Sequence, residues 1–323
     1  MYASDPTAVS TAVGSVRNNP PGRTDTETAS DGEGTRETPL RDLCRIADEF
    51  GGGFRLSVKL ESFQPSGSVK DRAANHIVGQ AIAEGKLGPG RTLIDASSGN
   101  TGVAYALLGE RLGFAVELCL PRNVHPQRLA RILGSGATVA LTDPLEGTDG
   151  AQREARRRAE SDPARYFYPD QYNHPGNPEA HYRSTGPEIW RQTAGGLTHF
   201  VAGVGTGGTI SGAGRYLKER RPTLSVIAVE PAGPMHGLEG LKHLPTALRP
   251  GTYDPRVIDR TLRVETEDAL AMRRHILEVE DLTVGVSAAA AVVASIEVGR
   301  SSADAWVVTI APDAGHPSSS EDP

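Results

Sequence analysis

Three times along this chain a short apolar run ends in a turn of glycine and small hydroxyl residues, and each turn opens into a helical pattern. Phe54–Leu60 leads into Gln64-Pro-Ser-Gly-Ser-Val-Lys70-Asp-Arg72, and Arg91–Asp95 into Ala96-Ser-Ser-Gly-Asn-Thr-Gly102. Thr198–Val204 leads into Gly203-Val-Gly-Thr-Gly-Gly-Thr209. Strand–turn–helix units in series restrict a chain to α/β layers around mostly parallel sheets. The alternation continues through strands at Phe114–Leu120, Ala137–Leu141, Leu224–Glu230, Thr261–Glu265 and Ala305–Ile310, with helices at Val69–Ala83, Ile210–Arg220, Glu267–Val279 and Ser287–Ile296 among those between them. Two long connections interrupt it, Pro169 to Pro187 and Pro231 to Tyr253, both read as lacking regular structure and, for that reason, as functional. No internal repeat is visible.

Composition narrows the function classes. A net charge of -6 with both signs interspersed argues against nucleic acid as a main partner. No apolar run reaches the roughly 18 residues of a membrane span. Cys44 and Cys119 show no metal spacing; they read as small buried apolar residues of a reduced, cytoplasmic protein, and no metal site is expected. Residues 1–36 and 316–323, polar and rich in Ser, Gly, Asp and Pro, are expected to be disordered.

Each turn has a plain reading and a chemical one. Lys70 falls at the positive end of a helix dipole. It is either a solvated lysine or an amine whose charge is disfavoured, suited to nucleophilic or Schiff-base chemistry. Ser97, Ser98, Gly99, Asn100 and Thr101 could simply cap a helix, or could bind a carboxylate with hydroxyl, amide and N–H groups. Gly205, Thr206, Gly207, Gly208 and Thr209 can cradle a phosphate on a helix N-terminus. Gly203, Gly205 and Gly208, with Glu230 after the next strand, also satisfy a dinucleotide pattern, which keeps a nicotinamide oxidoreductase as an alternative. Ser287, before the run Ala288–Ala291, could be a helix cap or a neutral hydroxyl offered to a ligand.

The four features in this order resemble the pyridoxal-phosphate enzymes of fold type II, in particular the cysteine synthase and cystathionine β-synthase group. Gln171, His181-Tyr182 and Thr185-Gly-Pro-Glu-Ile-Trp190 match as well, so the resemblance runs from about Thr38 to Gly315. It implies two three-layer αβα domains of the tryptophan synthase β type: 64–174 forming a smaller mobile domain, and 42–63 with 175–315 forming the domain that holds the cofactor phosphate. It implies that Lys70 carries pyridoxal 5′-phosphate and shuttles the α-proton, that Asn100 meets the ring hydroxyl, that Gly205–Thr209 hold the phosphate, and that Ser287 faces the ring nitrogen. Ser97, Ser98, Gly99, Thr101 and Gln171 would hold the substrate carboxylate. The activity implied is β-replacement on an O-activated L-serine by way of an aminoacrylate, in a homodimer.

Substrate choice rests on the segment from His236 to Pro250, where the resemblance places closure over the substrate. Gly240 and Lys242 are assigned there, with Lys242, His243 and Arg249 giving it a basic character. A dianionic leaving group calls for a cation, so this chain is similar to the branch using O-phosphoserine, with O-acetylserine as the other donor. A sulfur nucleophile makes it a cysteine synthase; an amine makes it a diaminopropionate-pathway synthase, and homocysteine a cystathionine β-synthase.

Overall fold

The computed structural model describes residues 35–97, 99–124 and 126–315, with Gln127 and Arg128 described by their backbone alone. In chain order the elements are β1 (Leu40–Asp42), α1 (Cys44–Glu49), β2 (Arg55–Leu60), α2 (Lys70–Ala83), β3 (Thr92–Asp95), α3 (Asn100–Leu112), β4 (Ala115–Pro121), α4 (Pro126–Gly134), β5 (Thr138–Thr142) and α5 (Gly147–Ser161). They continue with β6 (Tyr166–Phe167), α6 (Gly176–Arg183), α7 (Thr185–Gln192), β7 (His199–Gly203), α8 (Gly208–Arg220), β8 (Ser225–Pro231), β9 (Arg260–Val264), α9 (Thr266–Glu280), α10 (Val286–Arg300) and β10 (Trp306–Ala311).

Two sheets result. The larger runs β1-β2-β10-β7-β8-β9, parallel throughout except for the antiparallel edge strand β1. The smaller, β5-β4-β3-β6, is wholly parallel. Parallel strands covered on both faces need unbroken apolar runs, and Leu56, Val58, Phe200, Val201, Val226, Ile227, Val307 and Val308 supply them at 1% exposure or less. α10 lies within the core: Ala288 to Ala291 are all buried, and such small side chains let a helix press closely on a sheet.

Strand order positions the site. β2, β10 and β7 are adjacent and parallel, with Ala311 opposite Leu60 in register, so the turns after all three leave the same sheet edge. Ligands of open α/β sheets bind in the crevice beyond the carboxyl ends of the strands. The Lys70 turn, the Gly205 turn and the segment after β10 therefore meet there.

A buried ionic cluster fixes the helix that carries Lys70. Arg72 donates from Nε to Glu61 Oε2 at 2.6 Å and from Nη1 to Glu188 Oε1 at 2.7 Å, and Lys59 Nζ reaches Glu188 Oε2 at 2.7 Å. Thr38 Oγ1 donates to Glu61 Oε1 at 2.7 Å, and its carbonyl accepts from Lys59 Nζ. Two cations and two carboxylates balance, which buried charges require.

Several expectations change. The connection from Pro169 to Pro187 contains α6. Pro175 and Pro178 disguise it, yet proline is harmless at a cap or in a first turn, where the N–H has no intrahelical partner. Cys44 is exposed, whereas Cys119 is buried as expected. Arg36, expected within the disordered extension, is instead pinned by Gln64, whose Oε1 accepts from its N–H at 3.0 Å and whose Nε2 donates to its carbonyl at 2.7 Å. Residues 1–34 and 316–323 of the two predicted tails lie outside the described residues, as does Ser98.

Candidate active site

Lys70 is the first residue of α2, and its N–H donates to Ser68 Oγ at 3.3 Å; Val69 holds the N-cap position and makes no side-chain cap. Ser66 is held differently, its N–H donating to Asp71 Oδ2 at 2.7 Å. Burial pushes the Lys70 amine below lysine's ordinary value, with the Asp313 carboxylate opposing the shift. Of the two readings of Lys70, the destabilised ammonium is the one the surroundings favour.

The glycine turn is shaped by close approach. A Cβ on Gly205 would collide with the carbonyl oxygen of Gly240, and one on Gly208 with the Asn177 side-chain amide. Gly207 has φ +84° and would place a Cβ 2.7 Å from that of Tyr253. α8 starts at Gly208, whose N–H donates to Thr206 Oγ1 at 3.3 Å, and the N–H groups that follow it in the first turn gather at this cup. Thr206 Oγ1 accepts from Asn177 Nδ2 at 3.1 Å, and Thr206 O accepts from Thr252 Oγ1 at 2.6 Å. Thr209 Oγ1 lies 3.2 Å from His181 Nε2, while His181 Nδ1 lies 2.9 Å from Thr185 Oγ1. Burial drives His181 well below its ordinary value, so the ring is neutral and serves as a spacer behind Thr209.

In the serine–asparagine turn, Thr101 Oγ1 donates to Gln171 Oε1 at 2.8 Å, bringing together two residues expected to share the substrate carboxylate. Ser97 Oγ accepts from Gly102 N at 3.1 Å, and Gly99 precedes α3 as an extended residue. Asn100 does not cap the helix; its Nδ2 donates to Asp313 Oδ2 at 2.6 Å. Ser287 is not a cap either: Gly285 precedes α10, and the largely buried Ser287 hydroxyl has no hydrogen-bond partner among the described residues. Over the cup runs the Gly240–Lys242 segment, with Gly240 at φ +85° and Lys242 N donating to Val204 O at 2.8 Å. Lys242 Nζ lies 4.8 Å from the centre of the Tyr172 ring, next to Gln171.

The dinucleotide reading loses its acid. Glu230 is buried near the end of β8, at 4% exposure, so its carboxyl is not presented on the surface to a ribose, and burial raises it above its ordinary value.

Asp95, at the end of β3 just before the serine turn, departs far from ordinary behaviour. Its Oδ1 accepts from Ala96 N at 2.7 Å, but Oδ2 is buried without a partner among the described residues, and burial pushes the carboxyl up to about 7. The folded chain then binds this proton more tightly than the unfolded chain, where the value is near 3.8, so stability falls as pH rises across that interval. Asp95→Asn is expected to raise the melting temperature most at about pH 8 and to converge with wild type below about pH 4. A gain independent of pH in thermal melts would show that the carboxyl does not titrate there.

Sequence reasoning missed Asn177, which ties the Gln171 loop to the cup by donating also to Gln171 O at 2.8 Å, and it gave Asp313, just after the last strand, no role in the site. The first was hidden between two prolines; the second carried no spacing signal.

A family model described as "Pyridoxal-phosphate dependent enzyme" matches residues 32–313. Over 283 residues the chain is 49% identical to a cysteine synthase of Aquifex aeolicus, covering 86% of each chain. It is 37% identical over 278 residues to cysteine synthase B of Salmonella typhimurium, covering 86% of this chain and 90% of the other. Among solved structures, a cysteine synthase from Entamoeba histolytica superposes with a TM-score of 0.85 at 31% identity, over 92% of this chain and 91% of that one.

Proposed function

Because this chain belongs to the family of pyridoxal-phosphate dependent enzymes, we propose that it is a cysteine synthase, replacing the β-substituent of an O-activated L-serine with sulfur. The observation that carries this reading is the shared sheet edge, where the amine of Lys70, disfavoured as an ammonium, meets the glycine cup of α8.

The residues present fit the cofactor. Glycines at 205, 207 and 208 let the turn pack against Gly240, Tyr253 and Asn177 with its backbone N–H groups free to face a phosphate, and the Ser287 hydroxyl is left over for a ring nitrogen. Pyridoxal phosphate, when bound, supplies a conjugated ring that withdraws electrons from the substrate Cα. Lys70 would hold it covalently and, as a free amine, would take the proton from the substrate Cα and return it there. Thr101 and Gln171, with Ser97, hold the substrate carboxylate. A neutral serine at 287 would meet the ring nitrogen without enforcing a charge on it, which suits loss of a β-substituent.

The leaving group is assigned through Lys242. Apart from its contact with Tyr172 this ammonium has no partner among the described residues, and it stands beside the Gln171 loop, free to pair with a phosphate. We therefore read O-phosphoserine as the donor and sulfide or another sulfur compound as the nucleophile. Lys242→Ala is expected to raise KM for O-phosphoserine at least about tenfold while leaving KM for O-acetylserine within about twofold, the asymmetry of a charge-assisted contact. Equal effects on both donors would remove Lys242 from this role.

The visible spectrum of the purified protein tests the larger reading. A band that moves to longer wavelength with one donor and recovers on adding sulfide is the expected result; no band after cofactor is added would sink it. A homodimer is part of the same reading. So is a cytoplasmic location, supported by the unbridged Cys44 and Cys119. No helix among the described residues is long and apolar enough to cross a membrane.

A further inference from the structure

Asp313, two residues beyond β10, touches the lysine turn, Asn100 of the serine–asparagine turn and the residue that precedes α10. Its backbone bridges to Ser68 in the lysine turn, and the preceding Pro312 O accepts from Val69 N at 2.8 Å. Its own carbonyl accepts from Gly285 N at 3.2 Å, just ahead of Ser287. Its side chain accepts from Asn100 Nδ2 at 2.6 Å through Oδ2 and from Gly315 N at 2.9 Å through Oδ1. Glycine at 285 is needed for this, since a Cβ there would collide with the Asp313 carboxylate.

We propose that Asp313 is a positioning residue that fixes the amide of Asn100 and sets a negative charge against the amine of Lys70. This rests on the cofactor reading given above. A carboxylate only accepts hydrogen bonds, so the nitrogen of Asn100 must face Asp313. One N–H is then committed and the amide cannot flip, leaving the second N–H and the carbonyl oxygen in a defined orientation toward the cofactor. The charge works on Lys70 separately. The other titratable groups about Lys70 are poorly placed to substitute for it. Asp71 is turned to the Ser66 N–H, Arg72 is held between Glu61 and Glu188, and His181 on α6 is neutral. Asp313 is thus the carboxylate that partly offsets the effect of burial on the Lys70 ammonium, and it tunes how readily the displaced lysine gives its proton back.

Two variants separate the two roles. Asp313→Ala removes the acceptor, and is expected to raise the cofactor dissociation constant about tenfold, or ~1.4 kcal/mol. In an Asn100→Ala background the same change should add nothing, because the effect passes through Asn100. Asp313→Asn keeps an acceptor oxygen but removes the charge. It should hold the cofactor nearly as well as wild type while moving the acidic limb of the kcat–pH profile to lower pH by about one unit. Additive losses in the Ala pair, or an unmoved acidic limb in Asp313→Asn, would overturn the proposal. A wild-type protein that takes up no cofactor overturns the underlying reading instead, and the two failures are told apart by the wild-type visible band.

Discussion

Lys70→Ala is expected to lower turnover by about a thousandfold or more while leaving the fold as stable as wild type, or slightly more so. The loss follows from the roles proposed for Lys70, covalent holder of the cofactor and base at Cα. The stability result follows from burial, which disfavours the ammonium in the cofactor-free chain. Because the folded protein binds this proton less tightly than the unfolded one, wild-type stability in the cofactor-free state increases as pH rises toward lysine's ordinary 10.5. The alanine variant should lack that increase. Denaturation of both cofactor-free proteins at about pH 7 and about pH 9.5, beside steady-state assays of the loaded enzymes, gives the comparison. A variant that loses activity because it unfolds would show that Lys70 is structural.

Arg72→Met should have the opposite profile, with a loss of stability of about 3–5 kcal/mol, since Glu61 and Glu188 keep their charges in the core with Lys59 alone to meet them. Burial alone would raise the Glu61 carboxyl, but Arg72 and Lys59 outweigh it and hold the group below its ordinary 4.5. In wild type the stability from Glu61 is therefore present above about pH 4.5 and is lost as pH falls through the lower folded value. In the variant Glu61 has lost its main partner, so the gap between the two proteins should close in acid. Urea midpoints at about pH 7 and about pH 4 measure it; a gap unchanged by pH would mean that the cluster acts by packing.

The architecture was legible because buried parallel strands and the turns after them leave strong local patterns. Lys70, the Gly205–Thr209 cup and Ser287 each follow a strand or open a helix in the sequence, and they do so in the structure. What could not be read was long-range pairing of ordinary residues. Nothing in the spacing of Asp313 and Asn100 announces their contact, which exists because β10 inserts between β2 and β7. The charges of Lys59, Glu61, Arg72 and Glu188 also resemble surface residues until the fold closes around them. α6 was lost because its prolines mimic a loop, and the short β1 and β6 because a strand of two or three residues carries too little alternation to register.

The place of β10 has a consequence for how the molecule comes into being. The Lys70 turn belongs to β2, made early, but the neighbour that completes the sheet beside β2 is synthesised only after all the other described strands. Until then β2 presents an unpaired edge toward β7, of the kind that invites wrong partners. Pairing across so much intervening chain is entropically slow. Catalytic competence in this protein is therefore a late event of biosynthesis, reached when one strand slides between two that have been waiting for it.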